Sequence, residues 1–197
     1  MRHGWIRVAT RRRTWPVMEM GLLGEHQAAN AAVAVACVEE LQALGWTIRD
    51  QDVAAGLAEV SWPARLEVLG DGPLVVLDCA HNLASVEALL EALQTSFPPG
   101  RRLLIFAASS DKDLAGMLRL LAPQFAQVFL TRFANSPRAA PPEQLAELLR
   151  QVGEVPFTVC STGLQAWQAA RAAAGPEDLI CVAGSVFLAG ELRPMLG

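Results

Sequence analysis

Lysine is almost missing from this chain: of its 16 lysine and arginine residues, only Lys112 is a lysine. A phosphate-cradling loop of the form G-x-x-x-x-G-K-[ST] needs one, and Lys112 lies in Ser109-Ser110-Asp111-Lys112-Asp113, so that motif is absent. No G-x-G-x-x-G follows any strand-like segment, which leaves a dinucleotide site unsupported. Hydrophobic residues make up 52% of the chain, yet no apolar run approaches the roughly 18 residues that a membrane span requires. The opening Met1-Arg2-His3-Gly4-Trp5 has no apolar signal-peptide core, so a cytoplasmic location is expected rather than export. Cysteine is sparse and scattered (Cys37, Cys79, Cys160, Cys181), with no CxxC pair and no metal-ligand spacing. Reduced cytosolic thiols are the expectation, and no metal ligand is assigned to this chain. A net charge of −4 argues against a nucleic-acid platform. The longest basic run, Arg11-Arg12-Arg13, reads as a solvated loop or strand edge rather than a phosphate patch. His3 has no motif around it and reads as solvated.

What is present is concentrated in Leu77-Asp78-Cys79-Ala80-His81-Asn82. This stretch follows the apolar run Pro73 to Leu77, a buried-strand pattern, and precedes an amphipathic stretch from Leu83 to Leu93. An acid and an imidazole three residues apart therefore sit at a strand's carboxyl end, where open α/β sheets place ligands. Just upstream, Trp62-Pro63-Ala64-Arg65-Leu66-Glu67 brings a guanidinium near the same edge.

From that turn onward, strand-like and helix-like segments alternate. Strands are expected at Leu66 to Leu69, Leu74 to Leu77, Leu103 to Ala107, Val128 to Thr131, Phe157 to Cys160 and Leu179 to Ala183. Helical periodicity fits Ser85 to Leu93, Leu114 to Leu121, Pro142 to Leu149 and Leu164 to Ala173. Such alternation predicts a mostly parallel sheet covered on both faces, and right-handed crossovers make it doubly wound and Rossmann-like. Residues 1–60 read differently. Two short strands, Trp5 to Val8 and Trp15 to Met18, precede a helix from Gln27 to Leu44 and a second from Asp50 to Glu59 with Asp50 as its N-cap. The first helix is apolar on every face through Ala31 to Val38, the pattern of a helix lying between two layers.

Several motifs together resemble one family. They are Gly24-Glu25-His26-Gln27-Ala28-Ala29-Asn30, Trp62-Pro63-Ala64-Arg65-Leu66-Glu67, Asp78-Cys79-Ala80-His81-Asn82, Asp111-Lys112-Asp113, Ser136-Pro137-Arg138-Ala139 and Gly184-Ser185-Val186-Phe187 running on to Glu191. In order and spacing this resembles the carboxyl-terminal half of folylpolyglutamate synthase/dihydrofolate synthase, in the Mur ligase superfamily. Ala64 and Cys79 stand where that family often has glycine, and Leu83 where it usually has proline. The resemblance implies that residues 1–60 are the helical tail of a truncated ATP-binding domain and residues 61–197 a Mur-ligase-type carboxyl-terminal domain. It implies an ATP- and Mg2+-dependent amide ligase joining L-glutamate to a folate or dihydropteroate carboxylate through an acyl phosphate. The P-loop and the magnesium ligands would lie in an upstream part.

By the same resemblance Arg65 and His81 are catalytic, and Asn30, Arg65, Asp78 and His81 contact ATP. Lys112 and Ser185 hold the incoming glutamate. From the residues themselves, other readings stand beside these. Arg65 has the planar fork of a phosphate clamp but could be a linker arginine in a surface ion pair. Asp78 could accept ribose hydroxyls, while His81 could be an imidazole satisfied by backbone at a helix start. His26, Gln27 and Asn30 share a helix face and could simply cap a buried helix. Lys112 could be solvated, and Ser185 an N-cap. The rival function is a stand-alone nucleotide- or acidic-ligand-binding module without catalysis. With an unpartnered apolar helix, the chain by itself is expected to self-associate.

Overall fold

Period-two burial builds the first element of the computed structural model, which describes residues 4–70, 72–97, 100–134 and 136–196. His3 lies outside those residues. Strands β1 (Gly4–Ala9) and β2 (Thr14–Met20) pair antiparallel. They turn Ile6, Val8, Trp15, Met18 and Met20 inward, and leave Trp5 68% exposed. Helix α1 (Glu25–Ala43) buries the stripe Gln27, Ala31, Val35 and Glu39, and α2 (Asp50–Glu59) adds Val53 to the same core. On the opposite side of α1, Val33 is 65% exposed, and Ala34 and Cys37 are exposed with it.

Charge completes what this small core begins. Glu39, only 4% exposed, accepts hydrogen bonds from the Trp15 indole at 2.8 Å and from Arg13 Nε at 3.3 Å. The same Arg13 guanidinium lies 3.8 Å over the Trp15 ring and donates twice to Asp50, at 2.6 and 2.7 Å. Arg12 forks onto Glu40. Arg12 and Arg13 stay exposed in the loop between β1 and β2, the solvated position expected of them, and from there they tie the hairpin turn to both helices. One correction concerns the helix start. Asp50 is the first helical residue and Arg49 precedes it as cap; Asp52 accepts the Arg49 backbone N–H at 3.2 Å. An acid three residues past the cap satisfies that donor, a role that Asp50, already inside the helix, does not fill.

The chain divides into two compact units at Pro63/Ala64. The second carries a six-stranded sheet of β3 (Glu67–Leu69), β4 (Leu74–Leu77), β5 (Arg102–Phe106), β6 (Gln127–Leu130), β7 (Phe157–Val159) and β8 (Leu179–Ala183). Their order across the sheet is β3-β4-β8-β5-β6-β7, parallel except for the antiparallel edge pair β3–β4. Helices α3 (Leu83–Ser96), α4 (Leu114–Leu121), α5 (Pro142–Val152), α6 (Gly163–Ala173) and α7 (Val186–Leu192) alternate with the strands. Right-handed crossovers that step across the sheet put α3, α4 and α5 on one face; the return through α6 to β8 uses the other. Accordingly Leu103, Ile105, Phe129, Ile180 and Val182 share a core with Trp167, Ala170, Leu188 and Leu192. Their strand neighbours Leu104, Phe106, Val128, Leu130 and Cys181 are as fully buried on the opposite face. The doubly wound architecture expected from the alternation is therefore the observed one. No helix among the described residues is long and apolar enough to cross a membrane.

Candidate functional site at the carboxyl edge of the sheet

The strand order reverses around β8, so the loops after β4, β8 and β5 meet at one edge. That is where doubly wound sheets bind ligands. Three expected site residues follow those neighbouring strands: Asp78 after β4, Ser185 after β8 and Lys112 after β5. The loops are drawn close. Gly184 N–H donates to Ala80 O at 2.9 Å, and a side-chain carbon at Gly184, whose φ is +106°, would collide with the Ala107 carbonyl oxygen.

Arg65 reaches this edge through an unusual turn. Both its neighbours, Ala64 (φ 57°) and Leu66 (φ 48°), occupy the left-handed region, which costs a residue with a side chain about 1–2 kcal/mol. Three bonds hold the turn there. Ala64 N–H donates to Glu67 Oε2 at 2.9 Å, Ala64 O accepts from Cys79 N–H at 3.0 Å, and Leu66 N–H donates to Asp78 Oδ2 at 2.9 Å. Two of the acceptors are carboxylates, which bind N–H groups about twice as strongly as neutral oxygens, enough to offset the strain. A positive φ at position 64 is a conformation that glycine adopts without cost and that alanine here adopts under strain. Leu66 was expected to open a strand; it is instead the 3%-exposed anchor of this turn, and β3 begins at Glu67.

Asp78, 6% exposed, is engaged on both oxygens, since Oδ1 accepts Ala80 N–H at 2.7 Å. The geometry makes it a brace between the Arg65 turn and the strand end. His81 has Nδ1 3.0 Å from Cys79 O; a carbonyl only accepts, so Nδ1 carries the hydrogen and Nε2 is the ring's open position. His81 N–H donates to Ser85 Oγ, and Asn82 caps α3 by accepting Ser85 N–H at 2.9 Å. Burial raises the Cys79 thiol above its ordinary value and keeps it protonated.

Lys112 Nζ lies 3.5 Å from Asp111, whose carboxylate also takes Arg138 at 3.3 Å. The Arg138 segment is laced to the β5 loop, with Ser110 N–H donating to Arg138 O at 2.8 Å and Ala140 N–H to Ala108 O at 2.9 Å. Ser185, 4% exposed, caps α7 by accepting Phe187 N–H at 3.1 Å. Asn30 belongs to the first unit: its amide donates to Gln27 Oε1 at 3.2 Å, and Gln27 in turn lies 3.1 Å from His26 Nε2. Sequence reasoning gave no role to Glu67, Arg193, Asp111 or Arg138. Glu67, Asp111 and Arg138 stand inside the motifs given above, whereas nothing local marks Arg193. Among the described residues no cluster of three or more His, Cys, Asp or Glu side chains could hold a metal ion.

The switch-point edge and the braced arginine turn belong to a doubly wound α/β domain. Residues 64–186 match the family described as Mur ligase, glutamate ligase domain, and the chain belongs to that family. It is 33% identical over 183 residues to a folylpolyglutamate synthase of Lacticaseibacillus casei, covering 91% of this chain and 40% of that protein. A Mycobacterium tuberculosis folylpolyglutamate synthase complexed with ADP and AMPPCP superposes with a TM-score of 0.86 at 33% identity, covering 94% of this chain and 43% of that one. A bifunctional folylpolyglutamate synthase/dihydrofolate synthase with Mn, AMPPNP and L-glutamate bound gives a TM-score of 0.81 at 26% identity, covering 95% and 43%. The chain thus spans less than half the length of these relatives.

Proposed function

We propose that this chain supplies the carboxyl-terminal part of an ATP-dependent ligase that adds L-glutamate to a folate or dihydropteroate carboxylate. The observation that carries the reading is the Arg65 turn, locked onto the carboxyl end of β4 between Glu67 and Asp78. ATP phosphorylates the acceptor carboxylate and leaves as ADP; the glutamate amine then attacks the acyl carbon, loses a proton to solvent, and expels inorganic phosphate as the amide forms. Phosphoryl transfer of this kind depends on positioning and charge neutralisation more than on covalent help. Arg65 presents a fixed guanidinium fork to phosphoryl oxygens. His81 offers Nε2 to the nucleotide, and Asp78 orients both by bracing the turn. Asn30 is assigned to the adenine side, with residues 1–60 forming the tail of the ATP-binding domain. Lys112 and Ser185 meet the carboxylates of the incoming glutamate. Mg2+ would accompany ATP, with its ligands outside the clusters described here. A cytoplasmic site of action fits substrates of this class. The isolated chain we take to self-associate through the exposed side of α1.

The test is ADP release that depends on both acceptor and glutamate. The full polypeptide turns over, the 197-residue chain by itself does not, and Arg65→Ala lowers turnover at saturating ATP about 100-fold. Unchanged turnover in Arg65→Ala would make Arg65 a linker residue and end this reading.

A further inference from the structure

Arg193 and Glu67 are 126 positions apart, yet they form one of the best-made ion pairs among the described residues. Arg193 Nε lies 3.0 Å from both carboxylate oxygens, and Nη2 lies 2.8 Å from Oε1. Arg193 opens the helical turn Arg193–Met195, which follows α7 directly. It lies beyond residues 64–186, the stretch that carries the family match.

The pair is more than a tether because of what Glu67 does with its second oxygen. That oxygen accepts the N–H of Ala64, the residue before Arg65, in the left-handed conformation. Asp78 performs the matching task on the residue after Arg65. Arg65 is therefore held between two carboxylate clamps, one on the residue before it and one on the residue after it. The Asp78 clamp is part of β4's end and fixed by the sheet. The Glu67 clamp is only as rigid as its carboxylate, and the Arg193 fork fixes that in one plane. Hydrogen bonding from Arg193 holds the Glu67 carboxyl below the usual range, so it is ionised throughout the neutral range.

We infer that Glu67, gripped by Arg193, is the positioning residue for Arg65, so that the carboxyl-terminal turn of the domain sets the placement of the phosphoryl clamp. This rests on the reading of Arg65 given above. Glu67 touches no reacting atom; it acts by keeping Ala64 left-handed, and through it the direction in which Arg65 leaves the turn. Misplacement of a catalytic group by about 1 Å can cost about 100-fold in rate.

The experiment is a double-mutant cycle in the full polypeptide, read as kcat and KM for ATP. Glu67→Gln keeps an oxygen for Ala64 but cannot match the charged fork; it lowers kcat about tenfold and moves KM for ATP less than about twofold. Arg193→Met produces a similar loss, and Arg193→Lys restores part of it. In an Arg65→Ala background, Glu67→Gln has no further effect, because a positioning residue has nothing left to position. Equal losses in both backgrounds would overturn the inference and leave the Arg65 reading intact. No loss from Arg65→Ala would overturn both. Should Glu67→Gln fold poorly, Arg193→Met and Arg193→Lys close the same cycle, since each leaves the Glu67 side chain in place.

Discussion

The two units of this chain solve the same problem with different means. The second buries a six-stranded sheet on both faces, and its strand residues from Leu103 to Phe106 are wholly enclosed. Its ion pairs, among them Arg101–Asp178, Arg150–Glu147 and Arg193–Glu67, lie around that core rather than within it. The first has a two-stranded ribbon and eight buried hydrophobic residues, so its tertiary contacts lean on Arg12, Arg13, Glu39, Glu40 and Asp50. Where apolar area is short, charge specifies the packing; where it is plentiful, the core closes on apolar contacts.

Deleting the side chain that both systems of the first unit share should break the comparison most violently. Trp15 is buried, bonded to Glu39 and covered by Arg13. Trp15→Ala should cost about 3–5 kcal/mol and melt β1, β2 and α1, while the amides of β5 and β8 stay protected from hydrogen exchange. Leu104→Ala, in the sheet, should cost about 2–5 kcal/mol without melting its unit. Simultaneous loss of protection in both units after Trp15→Ala would show that they are one cooperative body.

A smaller effect sharpens the claim that edge charges in the second unit serve ligands. Lys112→Ala should raise the apparent KM for glutamate about tenfold, leave that for ATP nearly unchanged, and not move the melting temperature. Ser185→Ala should do likewise while also losing a helix cap worth about 1 kcal/mol. An ATP defect without a glutamate defect would reassign both residues to the nucleotide. Self-association comes next in size. Light scattering over a dilution series should show a dimer that dissociates near micromolar concentration, and Val33→Glu, on the exposed side of α1, should abolish it. A clean monomer throughout would mean that the apolar side of α1 needs no cover.

The mildest probe is acid. Arg12, Arg13 and Arg193 hold the carboxyls of Glu40, Asp50 and Glu67 below their ordinary values of 4.5, 3.8 and 4.5. A depressed folded-state value means that the stabilisation is present above the ordinary value and lost as pH falls through the lower, folded one. The first unit, with more of its contacts of this kind, should therefore lose near-ultraviolet circular dichroism at a higher pH than the second. Coincident acid transitions would refute the division of labour.

Much of this was legible in the sequence. Apolar runs such as Leu74 to Leu77 and Leu179 to Ala183 gave strand bounds that the structure matches, because strands buried on both faces need continuous hydrophobicity. The place of the last strand was not legible: Leu179 to Ala183 is apolar whether it lies at an edge or in the middle. Leu66 looked like strand because a leucine carries no sign of left-handed backbone, which is imposed by Asp78 from 12 positions away. The partner of Glu67 was equally hidden, since an arginine 126 positions on leaves no local pattern. At the edge, the chemistry-bearing residues Asp78, Lys112 and Ser185 could be placed because strand ends fix them; how each is already bonded could not.

The central position of β8 also has a consequence in time. Strands β4 and β5 do not touch each other in the sheet; each pairs with β8, the last of these six strands to be synthesised. At a translation rate of about 10 residues per second, β4 waits about 10 s for that partner. Until then an apolar strand edge is exposed to whatever else is nascent in the cell. The first unit, with its contacts between near neighbours in the chain, is free to form earlier. Pairings of long sequence separation are also slow to find. A ribosome stalled before Leu179 would therefore hold a folded first unit and a sheet with its middle missing, a natural client for a chaperone.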